Sequence, residues 1–325
     1  MHIEIVFELD KVITDKNLEQ HYQEQLLQNL NYYSIEPGEA SKTLIQVNQI
    51  IERMLELNLT RNVTIIGLGG GVVCDLAGFI SAIYKRGCRL ALMPTSLLAM
   101  VDAAIGGKNG VNSANYKNQS GTIKQPDWIN LDPELITTLP QVELRNGSAE
   151  IIKHGLIYSS EYYNRVKLPE RYLTNYQSSE FLEIIQDSVA IKLHFVADDE
   201  IDKGKRRYLN FGHTLGHVVE RLWDLPHGDA VLWGVIQALK LSYHSELLPL
   251  KQYEELVADL EGLSVVKQLG LKLEWHKIAN SLLSDKKREG EGIAFILLKE
   301  VGVPVVKELS LEFVRMVLMD EDEAN

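Results

Sequence analysis

The sequence predicts an α/β domain with a parallel sheet, followed by a helical domain. Three observations carry this. Short apolar runs alternate with helix-period stretches through the first half. From Val142 onward the periodicity turns almost wholly helical. A chain of 325 residues is too long for one small core and short for three domains. The change of character falls near Pro140, so the domains are expected at 1–140 and 141–325.

Val63 to Ile66 (VTII) is an apolar run that ends in glycines, and helical spacing follows from Val72 to Tyr84. Cys88 to Met93 (CRLALM) reads as a buried strand stopped by Pro94, and Trp128 to Leu131 (WINL) as another. Strands this apolar need helices on both faces of their sheet. An earlier αβ stretch runs from Leu9 to Leu59, with a turn at Glu36-Pro37-Gly38. In the second half helices are expected over 142–158, 178–198, 213–223, 229–246 and 251–268, with Pro226 separating the third from the fourth. Residues 292–308 read as a β-hairpin about Val301-Gly302, before a closing helix and an acidic tail.

Lys plus Arg number 33 against 45 Asp plus Glu, a net charge of −12 that excludes a uniformly basic nucleic-acid binder. Cys74 and Cys88 cannot make a disulfide framework and suit a reducing cytoplasm. No apolar run approaches the ~18 residues of a membrane span. The start, MHIEIVFELDK, lacks the basic and apolar regions of a signal peptide. The expected setting is the cytoplasm, with no nucleic-acid or membrane partner.

Several motifs carry chemistry. Gly67-Leu68-Gly69-Gly70-Gly71-Val72-Val73-Cys74-Asp75 joins the VTII strand to a helix, a turn where backbone N–H groups can meet a phosphate. Glu39-Ala40-Ser41-Lys42 on its own reads as a helix start. Asp102 through Gly106-Gly107-Lys108, then Lys117-Asn118 in an apolar-poor loop, suit an anionic ligand. Glu150 and Lys153 lie on the first helix of the second half. His213, His217 and His227 cluster beside glycines that permit close approach, and with Glu150 they make a plausible zinc site. Spacing leaves open which three ligate; His213 and His217, four apart on one face, are the natural first pair. Lys192, Arg206 and Asp285-Lys286-Lys287-Arg288 add positive charge, each of them on its own an ordinary surface charge.

Taken together, GGGVVCDLAGF, YKRG, PTSLLAMVDAAIGGKNGVN, TLPQVELRNGSAEIIKHGLI, RRYLNFGHTLGH, PHGDAV and SDKK, in this order, resemble the 3-dehydroquinate synthases, a family of sugar-phosphate cyclases. The resemblance spans roughly residues 10–320. It implies an N-terminal Rossmann-like NAD domain and an all-α C-terminal metal-binding domain, as in iron-dependent alcohol dehydrogenases. It implies NAD, a divalent metal (zinc, or cobalt) and conversion of 3-deoxy-D-arabino-heptulosonate 7-phosphate to 3-dehydroquinate and phosphate, in the shikimate route to chorismate and the aromatic amino acids. It assigns the metal to Glu150, His213 and His227, and makes His217 an acid–base group. It assigns NAD to Asp15, Glu39, Lys42, Gly69, Gly70, Gly71, Val72, Asp75, Thr95, Ser96, Lys108, Lys117 and Thr138. Substrate falls to Asp102, Lys108, Asn118, Lys153, Lys192, Arg206, Asn210 and Lys286. Arg86 is implied to reach the neighbouring subunit of a homodimer.

The chain departs from the family in places. Members carry further residues ahead of this start, so MHIEIVFELDKV is expected to supply one strand. Asn109 follows Lys108 where Thr is usual, and Thr122-Ile123-Lys124 replaces a more aromatic run. Sister cyclases acting on sedoheptulose 7-phosphate or glucose 6-phosphate compete with the main reading. Their substrates lack a carboxylate, so Lys192 and Arg206 favour the synthase. A metal-dependent polyol dehydrogenase would need no phosphate clamp.

Overall fold

The computed structural model describes residues 11–28, 30–113, 116–263, 273–284 and 292–319. These fall into two units, Met1–Glu143 with Tyr176–Leu182, and Leu144–Asn175 with Glu183–Asn325.

The first unit runs β1 (Lys11–Asp15), α1 (Lys16–Tyr22), β2 (Tyr32–Ile35), α2 (Leu44–Glu56), β3 (Thr64–Gly69), α3 (Gly71–Ile83), β4 (Arg89–Pro94), β5 (Lys108–Ser113), β6 (Tyr116–Ile123) and β7 (Trp128–Ile129). Five strands form one parallel sheet in the order β2-β1-β3-β4-β7. The period-2 alternation of side chains splits them between two cores. Ile13, Ile65, Leu90 and Leu92 join Val47, Ile50 and Met54 of α2 and Val73, Leu76 and Ile80 of α3. Val12, Ile66, Leu68, Ala91 and Met93 face the other way, onto Leu18 and Leu27. Fully burying one such side chain stabilises by about 1.5–3 kcal/mol.

The helices α1 and α2 start where the sequence caps them. The Asp15 carboxylate accepts from Asn17 N (3.0 Å) and Leu18 N (3.2 Å), and Thr43 Oγ1 accepts from Gln46 N (3.1 Å). The chain leaves β1 toward β2 on one side and returns to β3 on the other, so the strand order reverses between the carboxyl ends of β1 and β3. Ligands of such sheets gather at that point.

Lys117 and Asn118 stand in a strand and not in the expected loop, because β5, which begins at Lys108, and β6 pair as an antiparallel hairpin. Its apolar content is too low to announce a strand; hydrogen bonds and one buried amide hold it instead. Asn109 is buried, and its Nδ2 donates to Gly107 O (2.9 Å) and Lys124 O (3.1 Å). A Cβ at Gly78 would lie 1.8 Å from Asn109 Oδ1, so the departure at 109 is matched by a glycine in α3.

The second unit runs α4 (Gln141–Tyr158), α5 (Ser160–Val166), α6 (Pro169–Tyr172), α7 (Ser179–Val196), α8 (His213–Trp223), α9 (His227–His244), α10 (Leu250–Glu261), α11 (Trp275–Ser284), β8 (Ile293–Glu300), β9 (Val303–Leu309) and α12 (Leu311–Met319), with the ends of α4 and α7 counted in the first unit. It is helical but not all-α, since β8 and β9 form the hairpin read from 292–308. Ile293, Phe295 and Leu297 of that hairpin pack with Leu215 and Val219 of α8, Trp233 of α9, Ile278 of α11 and Val314 of α12. Among the described residues no helix is long and apolar enough to cross a membrane.

Candidate active site

Some of the residues that the resemblance implies for a dinucleotide lie at the carboxyl edge of the parallel sheet. Asp15 ends β1, Gly69 ends β3, and Thr95 and Ser96 follow β4. Gly70 stands in extended backbone before α3, and no side chain caps the helix, which leaves first-turn N–H groups for an anion. A Cβ on Gly69 would lie 2.5 Å from Val73 Cβ, so glycine there allows the helix to spring directly from the strand. One turn into α3, Asp75 pairs with the buried ammonium of Lys42. Burial raises the Asp75 carboxyl above its usual range, against the pull of Lys42. Glu39 Oε1 stands 4.0 Å from Lys42 Nζ and accepts from Asn112 Nδ2 at 2.9 Å. Asn112 Oδ1 in turn accepts from Asn118 N at 2.9 Å. One polar chain thus links Asp75, Lys42, Glu39, Asn112 and Asn118. The Asp15 carboxylate is engaged in capping α1.

In the second unit Glu150, on α4, is fully buried. Its Oε1 stands 3.5 Å from His213 Nε2 and 3.3 Å from His227 Nε2, while Lys153 Nζ pairs with Oε2. The ligand atoms of Glu150, His213 and His227 lie within 4.8 Å of one another. His217 is not in that group, which corrects the His213–His217 pairing: its exposed ring packs edge-on against His213, centroids 4.9 Å apart.

Local chemistry makes both grouped histidines good ligands. His213 Nδ1 lies 3.2 Å from Phe211 O, and His227 Nδ1 lies 3.4 Å from Glu220 Oε2. A carbonyl and a carboxylate only accept, so each Nδ1 carries hydrogen and each Nε2 turns toward Glu150. Burial, then the charge of Lys153, keeps His213 well below the ordinary histidine range and therefore neutral. Burial works against charge on His227 too, but Glu150 and Glu220 outweigh it and raise its pKa to about 9. Lys153, then His213 and His227, hold the Glu150 carboxyl well below its usual range despite burial. One carboxylate and two imidazoles with anchored rings fit a divalent ion such as zinc.

Glycines bring these donors together. Gly212, at φ +79°, turns the chain into α8, and a Cβ there would meet Val235 of α9 at 2.5 Å. A Cβ on Gly234 would lie 2.0 Å from Gly212 O, and one on Gly228 would lie 2.6 Å from Asn146 Cα. The helices therefore approach at backbone distance, which places His213 and His227, each first in its helix, beside Glu150.

Profiles of the 3-dehydroquinate synthase N-terminal and C-terminal domains match residues 32–146 and 147–288. The 3-dehydroquinate synthase of Streptococcus sanguinis (strain SK36) is 37% identical over 320 residues, covering 93% of this chain and 87% of its own. The chain belongs to the 3-dehydroquinate synthase family. The 3-dehydroquinate synthase of Lactococcus lactis subsp. cremoris (strain MG1363) is 39% identical over 285 residues, covering 85% and 78%. Among solved structures, 2-epi-5-epi-valiolone synthase from Streptomyces hygroscopicus subsp. jinggangensis 5008, with NAD+ and Zn2+ bound, superimposes with a TM-score of 0.85 at 25% identity, covering 97% of this chain and 91% of its own. The NADH-dependent butanol dehydrogenase A of Thermotoga maritima shares the fold at a TM-score of 0.67 and 15% identity, covering 95% and 90%.

Of the remaining residues that likeness to the 3-dehydroquinate synthase family marks, Lys153, Lys192 and Arg206 are buried cations of the second unit, and Asn210 ends the short helix just before His213. Asp102 is half-buried in the helical turn Ala99–Ala103. Lys108, Lys117 and Thr138 are exposed. Arg86 is exposed at φ +66°, between Lys85 at +47° and Gly87 at +112°, a strained corner. Lys85 Nζ donates to Leu59 O (2.7 Å) and Arg61 Nε to Gly87 O (3.1 Å), tying it down. Lys286 lies outside the described residues.

Sequence reasoning passed over Glu220, Asn146 and Asn112. Asn146 Oδ1 accepts from Gly228 N at 2.7 Å, fixing the start of α9 to the helix that carries Glu150. Helical spacing could have found two of them: Glu220 follows His213 by two turns, and Asn146 precedes Glu150 by one. Asn112 had no such signal.

Proposed function

We propose that the chain converts 3-deoxy-D-arabino-heptulosonate 7-phosphate to 3-dehydroquinate and phosphate, as a homodimer in the cytoplasm. The observation that carries this reading is the buried Glu150–His213–His227 donor group in a chain 37% identical to 3-dehydroquinate synthases over nearly its whole length. When bound, NAD+ and a divalent ion supply a reversible alcohol oxidation and polarisation of vicinal hydroxyls.

The chain's own residues supply the rest. Glu150, His213 and His227 would hold the ion. Lys153, paired with Glu150, keeps that carboxylate ionised. Gly69, Gly70, Gly71 and Val72 would receive the pyrophosphate at the N-terminus of α3, with Thr95, Ser96, Lys117, Thr138 and Asp15 around the cofactor. Lys42 and Asp75 hold each other, and with Glu39 they would contact the cofactor. His217, exposed beside His213, would move the proton that makes phosphate a leaving group by elimination. Lys108, Asn118, Lys286 and Arg86 of the neighbouring subunit would neutralise the phosphate. Lys192 and Arg206 would hold the substrate carboxylate, and Asp102 and Asn210 the hydroxyls.

The test is phosphate release from the heptulosonate phosphate, sedoheptulose 7-phosphate and glucose 6-phosphate, with NADH absorbance followed in parallel. Release from the first alone, with no accumulating NADH, is the expected result. Release from sedoheptulose 7-phosphate or glucose 6-phosphate would favour a sister cyclase. NADH accumulating with product would mean a dehydrogenase.

A further inference from the structure

Arg206 is buried, 3% exposed, yet it sits at the end of a stretch, 197–204, without regular secondary structure. Something must fix that stretch if the guanidinium is to present one geometry. The Asp199 carboxylate does so, accepting from three backbone N–H groups. Asp199 Oδ1 accepts from Lys203 N at 2.8 Å. Asp199 Oδ2 accepts from Gly204 N at 2.6 Å and from Arg206 N at 3.0 Å. The next residue, Glu200, offers its carbonyl to Arg206 Nη1 at 2.7 Å. The loop folds back through Asp202, at φ +61°, and Gly204, at φ −124° and ψ −123°. The Lys203 N–H foremost, then those of Gly204 and Arg206, keep the Asp199 carboxyl below its usual range, so it is ionised and only accepts. Bonds from backbone N–H to a carboxylate are charge-assisted and stronger than neutral ones.

We infer that Asp199 is a positioning residue for Arg206, and through Arg206 sets the grip on the substrate carboxylate. The inference rests on the reading of Arg206 as the carboxylate clamp. Asp199 itself meets no substrate. Its three accepted N–H bonds set the backbone from which the guanidinium extends, and Glu200 O sets the direction of the fork.

The experiment is a double-mutant cycle on the metal- and NAD-loaded enzyme, with the heptulosonate phosphate as substrate. Arg206→Ala should lower kcat/KM by about 100-fold or more. Asp199→Ala should lower it by about tenfold, chiefly through KM, since a small misplacement of a positioning group is enough. Asp199→Asn keeps one accepting oxygen and should fall between Asp199→Ala and wild type, so the series stays readable if the alanine variant folds badly. Added to Arg206→Ala, Asp199→Ala should cost nothing further, within about twofold. NAD+ affinity and metal stoichiometry should be unchanged in both Asp199 variants. Additive losses in the cycle would mean a merely structural aspartate and overturn the inference. So would a normal KM in Asp199→Ala alongside an impaired Arg206→Ala. Wild-type activity in Arg206→Ala would overturn the clamp reading and this inference with it, and that outcome is distinct from the other two.

Discussion

At the scale of single residues, the metal site is a charge arrangement before it is a metal site. Glu150 is buried among Lys153, His213 and His227, and without an ion the His227 proton supplies the second positive charge. A divalent ion must displace that proton. Below pH about 9 the ion competes with it, so apparent affinity should rise by about tenfold per pH unit and level off above. Isothermal titration with zinc across pH 6 to 10 reads the slope and the released proton; a flat profile would remove His227 from the ligand set. Glu150→Ala should abolish stoichiometric metal and turnover. It also leaves Lys153 buried without its partner, a change worth about 3–5 kcal/mol in comparable pairs, so the melting temperature should fall as well. Glu220→Ala acts at one remove. Freed from its carboxylate, the His227 ring loses its orientation, and metal affinity should drop by about 10- to 100-fold while the fold persists. Chelator competition measures this directly. Spacing alone favoured His213 with His217, because a shared helix face is visible in a string of letters. His227 joins Glu150 and His213 through the packing of α8, α9 and α4, which no local period encodes.

At the scale of elements, packing density explains both what the sequence showed and what it hid. Apolar strands buried on two faces announce themselves, so β3, β4 and the helix α3 between them stand where the runs 63–66, 72–84 and 88–93 put them, within a few residues. The β8–β9 hairpin is equally plain, since Val301-Gly302 breaks a β-branched run. The β5–β6 hairpin was hidden: its strands are polar and are held by register and the Asn109 amide. The glycines of α8 and α9 were visible as letters, but their partners were not. Gly234→Ala tests them. Its new methyl would fall 2.0 Å from Gly212 O, a backbone atom that cannot swing aside. Overpacking of this kind costs about 1–3 kcal/mol, roughly 2–4 °C per kcal/mol in a unit of this size. Forcing α8 from α9 also separates His213 from His227, so the variant should lose metal affinity together with thermal stability. Gly262→Ala, whose methyl would have, among the described residues, only Asp259 O at 3.9 Å, is the neutral control. Equal behaviour of the two variants in thermal unfolding and metal titration would refute the glycine argument.

At the scale of the whole molecule, the two proposed cofactor sites belong to different folding units. Gly69–Asp75, Glu39 and Lys42 lie in the first, and Glu150, His213 and His227 in the second. Each unit has its own hydrophobic core, in which neither site's polar residues take part. The two sets of residues share no member. Chelation should therefore abolish phosphate release while NAD+ affinity stays within about threefold of its original value. Lys42→Ala should do the reverse. It strips Asp75 of its buried partner, weakens NAD+ binding by about tenfold or more, and leaves one metal per chain. Calorimetric titration of NAD+ into the chelated protein, and metal analysis of Lys42→Ala, decide the matter. The proposed reaction would need both sites, because bound NAD+ would supply an oxidation that is reversed within the same turnover. Restoring zinc or cobalt to the chelated enzyme should return activity without added NADH, and a requirement for NADH would show that the hydride is not conserved within one turnover.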